Sequence, residues 1–349
     1  MKFRLDKSKR NKRRKDKHDK KAKISKNQEI CFEEINFVEI IESIPIDFGA
    51  DIDDYFMGTT GDNTYQFGNG YDIIDYSNLN QSISLIRGGT VNKGKLGTDT
   101  FVDFYDKIIA TNSSSDWIDG ISNGGLFANL EVNLKDNYIS INNLPGIGSV
   151  TTQIEKFENI SGTFNSDTLI GDSNANNIIG NAGDDVLIGL NGNDILKGGL
   201  GDDYLEGGKG KDIISGGEGN DTFIFSSVKD SGLSKKGSNK KIDWITDFDI
   251  GEDTIHFNKG VKQDDFSYLG EINKLTSKNI NRLIKDSSNY DYDAIAFDLV
   301  SSGQTFVAIN GSMNGFQSGK DLLVDITGYN GNINNIQIST GFNSIDNYM

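Results

Sequence analysis

Between residues 162 and 224 the chain places one apolar side chain every nine positions: Leu169, Ile178, Leu187, Leu196, Leu205, Ile214 and Phe223. Each sits in a triplet of the form xUx, which predicts a short strand with a single inward-facing side chain. From Gly180 the segment reads GNAGDDVLI, GLNGNDILK, GGLGDDYLE, GGKGKDIIS and GGEGNDTFI, five nonapeptides without an insertion. GTFNSDTLI from Gly162 and GDSNANNII from Gly171 precede them in frame and make seven units. The sixth position is Asp167, Asn176, Asp185, Asp194, Asp203, Asp212 and Asp221. In the last five units glycine holds the first position (Gly180, Gly189, Gly198, Gly207, Gly216) and the fourth (Gly183, Gly192, Gly201, Gly210, Gly219). In the last three it also holds the second (Gly199, Gly208, Gly217). Glycine at the first, second and fourth positions permits positive φ and sharp turns with inward carbonyls.

A looser block lies at 49–75: GADIDDYFM from Gly49, GTTGDNTYQ from Gly58 and FGNGYDIID from Phe67. Its sixth positions are Asp54, Asn63 and Asp72, and its eighth are Phe56, Tyr65 and Ile74. Gly49 and Gly162 are 113 residues apart, not a multiple of nine, so the two blocks are out of frame. Between them, short alternating segments such as SISLI, LEVNL and YISIN are separated by Asn, Ser and Gly turns. They predict solenoid-like or sandwich-like β structure over 76–161. Residues 29–48 fit a strand pair or a short amphipathic helix equally well. After Phe225 the glycine repeat stops, and AIAFDLVSSGQTFVAINGS and DLLVDITGYNGNINNIQIS read as further strands. The expected divisions are a basic arm at 1–28, a β-rich region at 29–161, the repeat block at 162–225 and a β cap at 226–349.

Composition narrows the classes. Glycine is 41 of 349 residues, above the usual ~7 %, but proline is only 2, which excludes collagen. The 34 aromatic residues can fill a core. The single cysteine, Cys31, excludes an intrachain disulfide framework and a cysteine-rich zinc site. The net charge of −16 is a sum of unlike parts: residues 1–26 hold 14 bases against 3 acids, and the rest of the chain holds 21 against 48. An acidic body argues against nucleic acid as the main partner. The arm reads as a solvated charge run; binding of an anionic polymer or membrane surface, or a nuclear address, is the alternative. No run of 18 apolar residues predicts a transmembrane helix, and no apolar stretch follows the basic region as in a signal peptide.

The repeats GGxGxDxUx resemble those of RTX (hemolysin-type calcium-binding) proteins, a pattern tied to Ca²⁺. The resemblance implies an all-β protein: a parallel β-roll, or β-solenoid, with two nonapeptides per coil and several calcium ions. Alternate repeats then share a side, so Asp167, Asp185, Asp203 and Asp221 form one column, and Asn176, Asp194 and Asp212 the other. Bare carboxylates in adjacent coils, roughly 4.8 Å apart, would repel by about 3 kcal/mol at an effective dielectric near 20. Calcium, which takes 6–8 oxygen ligands, reverses that sign. The implied metal ligands are these sixth-position residues, the turn glycines named above, and Asp54 and Asp72 of the looser block. Asn176, a neutral ligand, should weaken its site.

The segment KKIDWITDFDIGEDTIHF resembles the C-terminal cap of serralysin-type exoproteins at Asp243, Ile245, Asp247, Phe248, Gly251, Asp253 and Ile255. That implies a cap over an otherwise open roll end, a last calcium site from Asp230, Asp243 and Asp253 (turn and surface carboxylates being the alternative reading), and an uncleaved type I secretion signal near the C-terminus. The expected location is extracellular or at a bacterial cell surface. The serralysin zinc motif H-E-x-x-H is absent. One G-x-S-x-G occurs at Gly120–Gly124, but loop and strand sequence follow Ser122, and His256 is the only downstream histidine, so a Gly/Ser turn is the better reading. The expected function is therefore calcium-dependent and non-catalytic: adhesion, matrix or surface assembly, with a cell-surface or polysaccharide partner. The alternative is an exoenzyme, a glycan lyase, epimerase or hydrolase, with its site in 30–161.

Overall fold

Each triplet of the repeat block forms a strand, and successive strands alternate between two sheets. Thr168–Ile170, Val186–Ile188, Tyr204–Glu206 and Thr222–Phe225 pair in parallel in one sheet. Asn177–Ala182, Ile195–Leu200 and Ile213–Glu218 do so in the other. Leu169 lies opposite Leu187, and Ile178 opposite Leu196, 18 residues on. One coil therefore holds two nonapeptides, and the protein is an all-β parallel β-roll. The structure is a computed structural model describing residues 53–86, 90–101, 105–121, 128–144, 148–227, 229–233, 241–257, 266–286, 294–309, 316 and 321–339. These all belong to one compact unit, Asp47–Met349. The basic arm, the 29–48 segment, Cys31, Ser122 and the last ten residues lie outside the described residues.

The coil is held by its interior. Leu169, Leu187, Leu205 and Phe223 from one sheet meet Ile178, Leu196 and Ile214 from the other, all at most 1 % exposed. At roughly 1.5–3 kcal/mol for each fully buried aliphatic or aromatic side chain, one residue in nine carries most of the core energy of the repeats. Ile170, Val186, Ile188 and Ile224 form a second, smaller buried cluster.

Both sheets continue beyond the repeats. Upstream, one runs through Asn129–Asn133, Tyr138–Leu144, Gly148–Glu155, Lys107–Ile109 and Ile73–Asp75 to Tyr55–Met57. The other runs through Asn159–Ser161, Trp117–Asp119, Ser84–Ile86, Thr90–Asn92 and Thr98–Phe101 to Asn63–Tyr65. Residues 76–161 are thus solenoid-like, sharing the two sheets of the repeats. Their coils are longer: Ile74 pairs with Ile108, and Ile118 with Ile160. The extra length is taken up by antiparallel meanders, one of Asn129–Asn133, Tyr138–Leu144 and Gly148–Glu155, the other of Ser84–Ile86, Thr90–Asn92 and Thr98–Phe101. These insertions explain why the two blocks fall out of frame.

Downstream, Trp244–Ile245 adds to one sheet beside Ile213 and Ile214, and Thr254–Phe257 adds to the other beside Thr222–Phe225. Gln337–Ser339 and Leu322–Asp325 follow. The last sheet then turns antiparallel through Gln304–Ile309 and Ala294–Leu299. Alternate residues there face two cores. Ala294, Ala296, Val307 and Ile309 join the roll interior, while Ile295, Phe297, Phe306 and Ala308 pack with Ile280 of the helix Ser277–Asp286. A sheet buried on both faces reads as a continuous apolar run, which is the pattern of AIAF and FVAI.

Candidate calcium-binding columns

The backbone N–H of Asp167 donates to Asp185 Oδ1 at 2.7 Å, Asp185 to Asp203 at 2.8 Å and Asp203 to Asp221 at 2.9 Å. On the other side Asn176 donates to Asp194, and Asp194 to Asp212, each at 2.8 Å. The two expected columns are therefore present, and each carboxylate ties its coil to the one before. Both columns extend into the cap: Asp212 N–H donates to Asp243 Oδ1 at 2.8 Å, and Asp221 N–H to Asp253 Oδ1 at 3.0 Å. Asp243 and Asp253 thus end different columns and do not combine with Asp230 in one site. Asp230 acts electrostatically on Asp212 and Asp243, the column ending at Asp243.

The second carboxylate oxygen separates the members. Oδ2 of Asp185, Asp194, Asp203, Asp212, Asp221 and Asp243 is buried and accepts no hydrogen bond. Elsewhere the turn closes on itself. Thr163 N–H and Oγ1 donate to Asp167, Asp172 N–H donates to Asn176 Oδ1 at 2.9 Å, and Asp249 N–H to Asp253 Oδ2 at 2.7 Å. Asn176 also uses its Nδ2 to donate to Glu158 O at 2.7 Å, so this neutral member satisfies itself. An acceptor buried without a donor costs about 1–3 kcal/mol, and more when charged. Six such atoms in two lines call for a cation.

The glycines frame the same space, with one departure from expectation. Gly183, Gly192, Gly199, Gly201, Gly208, Gly217 and Gly219 do have positive φ, and so do Asn181 and Leu190 at second positions. The first-position glycines do not; they are required by space. A Cβ on Gly180 would overlap Oδ2 of Asp185 and the carbonyl of Gly198, and Gly189, Gly198, Gly207 and Gly216 stand in the same relation to their own aspartates. Gly210 also lacks a positive φ and abuts Gly192 O. At the fourth position the stacking is direct: Gly201 lies against the carbonyl of Gly183, and Gly219 against that of Gly201. Carboxylates and turn carbonyls are the oxygen donors a hard cation takes. Among the described residues no three Asp, Glu, His or Cys side chains converge. The donors this arrangement offers a cation are thus carboxylates and backbone oxygens together.

Burial pushes these acids far up. Asp185 is raised to about 8, Asp194 and Asp203 to about 7, and Asp212 and Asp221 to about 6, with desolvation the largest cause. Asp253 rises to about 7 and Asp243 well above its usual range for the same reason. Backbone hydrogen bonds to the carboxylates work against this, and repulsion between neighbouring acids adds to it as a smaller cause.

Other acids take equivalent places that the nonapeptide pattern does not mark. Asp54 N–H donates to Asp72 Oδ1 at 2.9 Å, and Asp72 N–H to Asp106 Oδ2 at 2.7 Å. Asp116 N–H donates to Glu158 Oε2 at 2.9 Å. Each of Asp106, Asp116 and Glu158 stands two residues before a buried isoleucine (Ile108, Ile118, Ile160), a D/E-x-U signal legible without the glycines. Asp116 is satisfied by Ile83 N–H and Thr111. Glu158, raised to about 7 mainly by burial, borders an open groove of about 350 Å³ with Thr111, Lys156 and Asp172. A further nonapeptide, GKLGTDTFV from Gly94, stands 36 residues after Gly58 and so in frame with it; only its ninth residue lies outside the described residues. His256 Nδ1 lies 2.8 Å from Ser339 Oγ on the neighbouring strand.

Residues 161–196 and 188–223 match the family model of the RTX calcium-binding nonapeptide repeat, in 4 copies. Residues 161–223 are RTX repeats. The RTX block binds Ca²⁺ at several of its repeats. Among curated proteins no relative matches the chain. Two solution structures from the Azotobacter vinelandii mannuronan C5-epimerase are similar to it. The AlgE6R3 subunit is 24 % identical, covers 46 % of this chain and 72 % of its own, and has a TM-score of 0.21. The AlgE6R2 subunit is 23 % identical, covers 54 % of this chain and 96 % of its own, and has a TM-score of 0.26.

Proposed function

We propose that this protein is a calcium-folded, non-catalytic extracellular β-roll that serves adhesion or surface assembly. Within it we assign Asp185, Asp194, Asp203, Asp212, Asp221 and Asp243 as the carboxylate ligands, completed by carbonyls of the glycine turns. The observation that carries the reading is the six buried, unpartnered Oδ2 atoms. Calcium bound between coils supplies the positive charge these oxygens lack; the aspartates supply the interlocking amide bonds and the glycines the space. Because the sites span coils, they exist only in the folded roll, and binding energy becomes folding energy. Calcium is scarce in the cytosol and abundant outside, so a chain of this kind leaves the cell unfolded and folds after export, which fits type I secretion. The divisions at 161/162 and 225/226 bound the repeat block itself, whose metal-binding columns run on to Asp243 and Asp253 in the cap.

Three experiments test this. A calcium titration followed by far-UV circular dichroism should show strand signal growing with calcium and lost in chelator; the same signal in chelator would end the reading. Retention of the purified protein on a cell surface or an acidic polysaccharide should require calcium. Turnover of anionic glycans or esters by the purified protein would overturn its non-catalytic part.

A further inference from the structure

The coil formed by the Gly58 and Gly94 nonapeptides stacks as the RTX repeats do. In the repeats, Gly183 N–H donates to Leu200 O; here Gly61 N–H donates to Leu96 O at 2.7 Å. Asp202 N–H donates to Asp184 Oδ1 in the repeats, and Thr98 N–H to Asp62 Oδ1 here. Asp185 N–H donates to Asp203 Oδ1, and Asn63 N–H to Asp99 Oδ1. Gly97 lies against the Gly61 carbonyl, as Gly201 lies against that of Gly183. Asp99 is therefore the sixth-position acid of this coil, fully buried like the others.

What differs is the charge beside it. Lys93, immediately before this nonapeptide, is completely buried, and its ammonium spends all three of its donors. It donates to Thr59 O and Gly61 O at 2.8 Å each and forms an ion pair with Asp99 Oδ1. Thr59 and Gly61 hold the second and fourth positions of the Gly58 nonapeptide. The other oxygen of Asp99 accepts from Tyr76 Oη at 2.7 Å. Two turn carbonyls and one sixth-position carboxylate thus converge on a cation supplied by the chain. No oxygen of Asp99 is left over, in contrast to the repeats.

We propose that the turn made by Thr59, Gly61 and Asp99 is a cation site filled by the chain's own Lys93, so that this coil is locked without calcium. The assignment leans on the calcium reading of the repeats only for its comparison. A buried lysine keeps its charge only with such partners, and removing it would strand Asp99 as an unpaired buried carboxylate.

Segment-resolved hydrogen exchange on the full chain tests it. In chelator, protection of 58–66 and 93–101 should stay within about threefold of its value in calcium, while that of 162–224 falls by about 100-fold or more. K93A should lose protection at 58–66 and 93–101 in chelator and regain it in millimolar calcium, the metal taking the vacated place. Wild-type protein that loses 58–101 together with the repeats overturns the proposal, whether or not K93A folds. So does a K93A coil protected as well as the wild type in chelator, or one that calcium does not restore. Repeats that stay protected in chelator would instead end the calcium reading and leave the Lys93 assignment standing.

Discussion

The coil at Gly58 and Gly94 and the coils of the RTX block solve one electrostatic problem in two ways. Both bury a sixth-position aspartate in a tight turn, with its Oδ1 accepting an amide from the previous coil. In the first, a lysine tethered one residue upstream of the nonapeptide supplies the counter-charge. In the second, Oδ2 is buried with no donor from the chain, and we propose that an external ion fills that role. A tethered ammonium offers three donors in one place and is present in every copy of the chain. Calcium accepts 6–8 oxygens, bridges coils and is present only where the medium supplies it. The difference turns one part of a continuous solenoid into a fixed end and the other into a conditional one.

The largest effect that can break this contrast is chelation. It should unfold 162–224, because its five buried, unpartnered carboxylates then face desolvation without compensation. Circular dichroism that is blind to chelator would erase the distinction between the two coils.

Paired glycine substitutions sharpen it next. Gly97 and Gly201 both have positive φ and both abut a carbonyl of the preceding coil. G97V and G201V should each cost on the order of 2–4 kcal/mol from backbone strain and overlap. Only G201V should also raise the calcium concentration needed for folding, as read in a titration. Gly251 has positive φ but open space around it, so G251A should cost only the strain, about 1 kcal/mol. Equal calcium shifts for G97V and G201V would contradict the account.

Replacing a ligand comes third. D203N should remove one ion from the measured stoichiometry and weaken calcium binding roughly tenfold, as a lost charged ligand does. D202N, one residue away on the exposed face, should leave stoichiometry unchanged.

The smallest effect is the pH dependence. The column acids are raised to between about 6 and 8, above their unfolded value of 3.8. The metal-free roll therefore binds more protons than the unfolded chain, and its stability is lost as pH rises through that range. In chelator, whatever strand signal the metal-free roll retains should be greater at pH 5 than at pH 8. In calcium, protons compete for the same oxygens, so the folding midpoint should need more calcium at pH 6 than at pH 8. The sequence charge of −16 consequently overstates the negative charge of the metal-free fold near neutrality.

Much of the repeat block was legible because a nine-residue period forces both its strands and its columns. Leu169, Leu187 and Leu205 announce one stack, and Asp185, Asp203 and Asp221 the column beside it. The middle segment was less legible because meanders replace turns, and a meander insertion shifts the frame without changing which sheet receives the next strand. The Gly94 nonapeptide stays in frame with the looser block, but its partner is four units upstream instead of two, across residues that carry no repeat. Asp106, Asp116 and Glu158 carry no glycine signature, only an acid two residues before a buried isoleucine. The pattern suggests a conformational need for the first-position glycines, but the need is spatial and depends on where the Oδ2 of the same repeat points. Lys93 was invisible, since nothing in a lysine before a glycine tells that its ammonium turns inward.

The most direct test of the central claim is amide exchange at Asp185, Asp194, Asp203 and Asp212, whose N–H groups donate to the carboxylates of the next coil. At pH 7.5 these amides should be strongly protected in calcium and exchange like an unfolded chain in chelator. Equal protection in the two conditions would contradict the account.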